Sequence, residues 1–236
     1  MKVVIHAGVH RTGTTSLQMM LARNRAALAE SGAVYPGQGP HHQDLVWALK
    51  RGEAGAAEVE ALLEEARGAG TAVLSGEDFC TLTDLGWLER LAGRHELRAV
   101  FYLRRQDHWL NSWYNQHVKW PFDRAKSRMS PQAFLERLAD FPWLDYAAVL
   151  ARWEAALGPG RVEAAAVEPG QVEDVALDFL DRLGVPPGRL EIPSARANDS
   201  LPVHMLEIAR HLGLHDLPPR ARMRVLNALR EGLAEI

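Results

Sequence analysis

The chain has little cysteine, little net charge and no long apolar run, and each shortage removes a class of protein. A single cysteine, Cys80, excludes an internal disulfide and fits a reducing compartment. A formal net charge of −3 gives no support for general nucleic-acid binding, which needs a strongly basic face. No stretch approaches the ~18 consecutive apolar residues of a membrane-spanning helix, and the first residues show no charged-then-apolar leader. The expectation is a cytoplasmic protein with no membrane span and no nucleic-acid partner. Internal repeats and long low-complexity linkers are also lacking. The Gly/Pro clusters at residues 36–40, 158–160 and 186–188 therefore read as loops within one domain, residues 1–236.

With 47% hydrophobic residues over 236 positions, the chain can bury one sizeable core. Apolar runs at residues 2–6, 72–75, 98–103 and 162–167 read as buried parallel strands, with a short one at 34–36. Helical periodicity covers about 15–30, 56–68, 84–93, 107–118, 131–140, 145–157, 171–183, 201–212 and 219–234. This alternation predicts a three-layer α/β/α domain with a mostly parallel central sheet and a helical C-terminal cap.

Residues 5–18, IHAGVHRTGTTSLQ, run from a short strand through a turn rich in Gly, Thr and Ser into a helix. Such a helix start offers unpaired N–H groups and the positive end of the helix dipole to an anion. Gly8 and Gly13 allow a tight turn and a close approach, Thr12, Thr14, Thr15 and Ser16 add hydroxyls, and Arg11 adds a permanent cation. The spacing matches the nucleotide loop G-x-x-x-x-G-K-[ST], which makes the expected fold P-loop-NTPase-like. Thr14, however, stands in the place of the lysine, and the cation has moved to Arg11. That departure disfavours an ordinary kinase or NTPase.

A second segment, residues 96–119, again joins an apolar strand to an amphipathic helix, with Arg104 at the strand end and Ser112 eight residues on. Together the two segments resemble the sulfotransferases that use 3′-phosphoadenosine 5′-phosphosulfate (PAPS). In that family a loop of the form G-x-x-[KR]-[TS]-G-T-[TS] follows the first strand. A later strand carries an Arg, with a Ser eight residues on, that bind the 3′-phosphate. The resemblance implies that Arg11, Thr12, Gly13, Thr14, Thr15 and Ser16 hold the 5′-phosphosulfate and that Arg104 and Ser112 hold the 3′-phosphate. It further implies PAPS as donor, adenosine 3′,5′-bisphosphate as product and no metal requirement. The acceptor would offer a hydroxyl or amine on a carbohydrate or glycan, a lipid headgroup or a small hydroxylated molecule. Arg11 is a poor proton donor, so its role is electrostatic stabilisation.

For the base, AVLSGEDF at residues 72–79 brings Glu77 to the end of the next strand, and a cleft beside Phe79 would raise its pKa while nearby Arg residues would lower it. The glycosaminoglycan-modifying sulfotransferases use a Glu as base, and the placement here looks similar. Histidine is the alternative. His10 lies in the loop itself, His6 reads as a satisfied buried residue of the first strand, and His41 and His42 suit either the acceptor side or a surface loop. That last pair lacks a third spaced ligand, so no metal site is expected. Residues 117–128, with Trp120 and Phe122 among five basic residues, read either as a lid or as an amphipathic loop. Trp109 and Trp113, four apart on a helix, read as core, and Arg196, Asn198 and Ser200 precede a helix near the C-terminus. Two other readings stand beside the sulfotransferase: a P-loop kinase-like phosphotransferase and a non-catalytic nucleotide-binding protein.

Overall fold

A computed structural model describes residues 1–120, 123–193, 201–215 and 217–233. The described chain groups into two compact units: Met1–Arg105 with Trp143–Arg196, and Gln106–Pro142 with Ala197–Ile236. Arg196, Asn198 and Ser200, and Phe122, lie outside the described residues.

The first unit is built on five strands, β1 (Lys2–His6), β2 (Ala33–Val34), β3 (Thr71–Ser75), β4 (Glu96–Leu103) and β5 (Val162–Ala166), paired in parallel in the order β2-β3-β1-β4-β5. Helices lie on both sides of this sheet. In the first unit they are α1 (Thr14–Arg23), α2 (Arg25–Glu30), α3 (Gln43–Arg51), α4 (Ala56–Leu63) and α5 (Gly86–Ala92). The second unit by itself begins with α6 (Gln106–Lys119), α7 (Arg124–Arg128) and α8 (Pro131–Leu135). The chain then returns to the first unit for α9 (Tyr146–Leu157) and α10 (Val175–Leu183) and ends in the second with α11 (Val203–Leu214) and α12 (Pro219–Leu233).

Central parallel strands are covered on both faces, which is why β1 and β3 read as unbroken apolar runs. On one face Val4, Val73, Val100 and Tyr102 pack with Leu17, Met20 and Leu21 of α1 and with Phe179 and Leu180 of α10. On the other, Phe101 meets Trp153 of α9 edge-on at 5.3 Å, and Phe79 meets both Trp153 and Trp87 of α5. Trp153 is fully buried, so its truncation to Ala would cost about 3–5 kcal/mol.

The helices expected over 56–68 and 131–140 end early, at Leu63 and Leu135, each followed by a short 3₁₀ turn, and two others differ from the sequence expectation for identifiable reasons. The helix expected over 15–30 breaks at Asn24, whose side chain donates to the carbonyls of Met20 and Glu191 and accepts from the Glu191 N–H. The helix expected from 171 starts at Val175, because Asp174 caps it by accepting from the N–H groups of Ala176 and Leu177. Helix α3, over a stretch with no expected element, closes at Gly52 with φ 69°.

The second unit has its own aromatic core. Trp109, fully buried as expected, stacks on Trp113 at 5.2 Å and meets Phe141 at 5.8 Å, while Phe134 packs on Tyr114. Buried Arg222 donates to the carbonyls of Val118 and Ala209, joining α12, α6 and α11. Of the segment 117–128, the described residues hold the end of α6, to Lys119, and the short helix α7. Lys126 is paired with Asp123 at 2.7 Å and Arg128 donates to the Gly213 carbonyl, so at least these two of its basic groups are engaged within the unit.

Candidate active site

The loop between β1 and α1 has a backbone shaped for an anion. Arg11 and Gly13 both take left-handed conformations, with φ 70° and 83°, on either side of Thr12. Alternation of this kind turns successive N–H groups towards one point, and here it runs into the first turn of α1, whose N–H groups have no carbonyl one turn back in the helix. Arg11 is the one non-glycine residue with positive φ among the described residues. The loop is tight: a Cβ on Gly8 would lie 2.4 Å from Thr14 Cγ2 and 2.9 Å from His6 Nε2. Thr12 is buried and its hydroxyl donates to the Val9 carbonyl at 2.6 Å, so its contribution to an anion passes through its backbone N–H. Gly13 and Thr15 are exposed, and Arg11 and Ser16 half-buried.

Arg104, leaving the end of β4, donates from Nη1 to the Arg11 carbonyl at 3.4 Å, and its own carbonyl accepts from the Tyr146 hydroxyl. Burial, and then the Arg104 guanidinium, lower the pKa of Arg11, with Glu77 acting the other way. An Arg104 charge that acts against the Arg11 charge favours an anionic ligand that neutralises both. The donors assembled at the loop thus fit a phosphate- or sulfate-like group. Ser112, by contrast, belongs to the second unit, where it is buried on α6.

Glu77 follows β3 in a short 3₁₀ turn, Glu77–Thr81. Its Oε1 accepts from the Thr14 hydroxyl and its Oε2 is 2.7 Å from His10 Nδ1. Burial alone would raise the Glu77 pKa, but the His10 hydrogen bond and charge and the Thr14 hydroxyl hold it below the usual carboxylate range. Of the two opposing influences read from the sequence, a rise beside Phe79 and a lowering by arginine, the lowering prevails, and its source is a histidine. The other ring nitrogen of His10, Nε2, is 2.8 Å from Asp78 Oδ1. Burial disfavours the charge on His10, but the two carboxylates prevail and push its pKa up to about 9. Trp143, from the segment before α9, stands edge-on to this ring at 6.4 Å.

Of the other histidines singled out in the sequence, His41 is exposed and accepts at Nδ1 from the Gln43 N–H at 3.4 Å, while His6 and His42 are buried. His6 is fully buried, its Nδ1 2.7 Å from Ser75 Oγ, and burial lowers its pKa to about 4 despite Glu77. Its Nε2, beneath Gly8, has no hydrogen-bond partner among the described residues, so it is satisfied on one side only. His42 is not in a surface loop: it is buried, accepts at Nδ1 from the Ser75 N–H and donates from Nε2 to the Pro36 carbonyl.

Three residues of the site had no functional role in the sequence reading. Asp78 Oδ2 accepts from Gln43 Nε2 at 2.6 Å and from Trp47 Nε1 at 2.8 Å, while Gln43 Oε1 accepts from the Glu77 N–H at 3.2 Å. The local signals for the helix that carries two of them were Asp44 in its first turn, Lys50 and Arg51 in its last, and Gly52 beyond it.

No family model matches the chain. An uncharacterized protein of Archaeoglobus fulgidus is 32% identical over 142 residues, which are 57% of this chain and 35% of that protein. The chain thus spans about a third of the length of that curated relative. Among solved structures, a sulfotransferase from Alicyclobacillus acidocaldarius superposes with a TM-score of 0.50 at 16% identity, covering 94% of each chain. A sulfotransferase domain from the curacin biosynthetic pathway gives 0.44 at 12% identity, covering 98% of this chain and 96% of that one. The first likeness is one of fold: the chain has a sulfotransferase-like fold, a mostly parallel five-stranded sheet with helices on both sides.

Proposed function

We propose that this protein is a sulfotransferase that transfers a sulfuryl group from PAPS to a hydroxyl or amine of an acceptor, a carbohydrate or glycan, a lipid headgroup or a small hydroxylated molecule. The observation that carries the reading is the pairing of Arg11 with Arg104 beside the α1 loop, with a carboxylate, Glu77, bonded to that same loop. The sulfotransferase-like fold supports it. In the proposal, Arg11, the backbone from Thr12 to Ser16 and the hydroxyls of Thr15 and Ser16 hold the 5′-phosphosulfate, Thr14 contributing its backbone N–H because its hydroxyl is given to Glu77, and Arg104 holds the 3′-phosphate. Ser112 joins Arg104 on its motif position alone.

The chemistry divides into three tasks. Donor and acceptor must be in line, charge developing on the leaving phosphate must be stabilised, and the proton of the acceptor must be taken up. The bond from sulfur to the phosphate oxygen breaks as the bond from the acceptor oxygen or nitrogen to sulfur forms. Arg11 and the loop N–H groups stabilise the departing phosphate, and Glu77 takes the proton. Glu77 is ionised at neutral pH and so able to take a proton, and, held below the usual range, it is a weaker base than a carboxylate tuned towards neutrality; it reaches the loop through Thr14. His10, with both ring nitrogens on carboxylates, orients Glu77. The proposed site uses no metal, and the enzyme is read as cytoplasmic.

The test is calorimetric titration with adenosine 3′,5′-bisphosphate beside ADP and 5′-AMP, first without magnesium and then with it. The expected result is metal-independent binding that needs the 3′-phosphate and weakens about tenfold or more in Arg104→Ala, the loss of a charge-assisted hydrogen bond. Preference for ADP with magnesium would move the protein to the phosphotransferases. Binding of the bisphosphate without turnover of any acceptor would leave a non-catalytic nucleotide-binding protein.

A further inference from the structure

His10 stands between two carboxylates that approach opposite ring nitrogens, Glu77 at Nδ1 and Asp78 at Nε2, at 2.7 and 2.8 Å. A neutral imidazole has one N–H, so one carboxylate would then face a ring lone pair at hydrogen-bond distance, two acceptors in contact with most of the site closed to water. Only the imidazolium, with two N–H donors, satisfies both. Asp78 is itself engaged on every side that the described residues offer. Its Oδ1 takes His10, and its Oδ2 takes Gln43 at 2.6 Å and Trp47 at 2.8 Å, both from α3. A carboxylate filled in this way is not placed to meet a substrate, but it is well placed to fix a neighbour.

We infer that Asp78, anchored on α3 by Gln43 and Trp47, is a positioning residue that keeps His10 a doubly hydrogen-bonded cation and thereby holds Glu77 in the anion loop. The consequence deepens the sulfotransferase reading, on which only this last step rests. The loop lacks the lysine of G-x-x-x-x-G-K-[ST], and a charged His10 supplies a second loop cation beside Arg11. It offsets the Glu77 carboxylate, which would otherwise repel an incoming phosphosulfate. The groups that face this cluster are Glu77 and Asp78 from the turn after β3, Cys80 of the same turn, which acts on both carboxylates, His6 of β1 and Arg11 of the loop, which act on Glu77, the Trp143 edge from the segment before α9, and Lys50 of α3, which acts on Asp78. The raised pKa of His10 agrees with the geometry.

The experiment is ¹⁵N NMR of the His10 ring across pH 5.5 to 10 in the full chain, assigned by its loss in His10→Gln. Wild type is expected to show both ring nitrogens protonated at pH 7.5 and to titrate near pH 9. In Asp78→Asn the transition falls by at least one pH unit, and Asp78→Glu restores part of it. Adenosine 3′,5′-bisphosphate affinity follows: wild type changes little between pH 6.5 and 8.5, while Asp78→Asn loses at least threefold at the higher pH. A neutral His10 in wild type at pH 7.5 overturns the inference without any variant, as does an unchanged titration in Asp78→Asn. If wild type binds no bisphosphate while its His10 is charged and the transition falls in Asp78→Asn, the positioning role stands and the sulfotransferase reading falls.

Discussion

Thr14, the first residue of α1, donates its hydroxyl to Glu77 Oε1, which sets a carboxylate against the loop that offers its N–H groups to an anion. A negative charge there opposes the phosphosulfate even as it serves as base. Glu77→Gln keeps the shape and removes the charge. Adenosine 3′,5′-bisphosphate should bind Glu77→Gln more tightly than wild type, while turnover falls by about 10²–10⁴-fold, the scale of a lost general base. Calorimetry beside a sulfate-transfer assay checks both. Weaker nucleotide binding with turnover retained would remove Glu77 from the base role.

The tightness of the loop predicts a stability effect that needs no ligand. Gly8→Ala forces a methyl to within 2.4 Å of Thr14 Cγ2 and 2.9 Å of His6 Nε2, and neither side chain has room to yield: both residues are buried, and Thr14 is β-branched. Overpacking of this kind costs about 1–3 kcal/mol. Gly188→Ala, where nothing lies within 4 Å and φ is not positive, is the matched control and should stay within about 0.5 kcal/mol of wild type. Urea denaturation of the two variants separates a packing requirement at Gly8 from a general intolerance of alanine.

The histidines act on stability from opposite sides of neutral pH. His6 has a folded pKa of about 4 against 6.5 unfolded, so the stability it contributes is whole above about 6.5 and is lost as pH falls towards 4. That loss is on the order of 3 kcal/mol, and buried His42, also lowered, adds to it. His10, raised to about 9, contributes stability that is whole below 6.5 and is lost as pH rises through 9. The urea midpoint should therefore fall on both sides of about pH 6.5. His10→Gln should flatten the alkaline side alone, and His6→Gln should reduce the acid side without abolishing it. A midpoint that is level from pH 6.5 to 9 in wild type would contradict the charge assigned to His10.

What could be read from sequence followed what is local. Strands β1, β3 and β4 each carry a continuous apolar run, Val3–Ile5, Ala72–Leu74 and Ala99–Leu103, and the loop from Gly8 to Ser16 carries its geometry in its residue types. Helix α3 escaped although Leu45, Val46, Ala48 and Leu49 fall at helical spacing, because it is only nine residues long. Of its nine residues only Gln43 and Val46 are buried, Trp47 is exposed, and the Gly/Pro run before it extends the appearance of a loop. The bonds from Gln43 and Trp47 to Asp78 span 35 and 31 residues, and no spacing rule along the chain encodes a pairing of that range. The carboxylate at the end of β3 was visible. Its histidine partner lay in plain view in the loop, but that His10 would be shared between Glu77 and Asp78 depends on where the sheet sets β1 beside β3.

Arg11 offers the sharpest separation of stability from function. Its φ of 70° is a conformation that costs an ordinary side chain roughly 1 kcal/mol, and the cost is removed by glycine, whose greater unfolded freedom takes back part of the gain. Burial and the Arg104 guanidinium further disfavour its charge. An arginine in this position is thus unfavourable on both backbone and electrostatic grounds, the pattern of strain held at a working site. Arg11→Gly should unfold at a urea concentration equal to or above that of wild type, yet bind adenosine 3′,5′-bisphosphate at least tenfold more weakly. Arg11→Lys keeps the charge without the planar fork and should fall between them in binding. If Arg11→Gly lost stability as well as binding, the side chain would be holding the loop together, and the left-handed turn could not be ascribed to the anion.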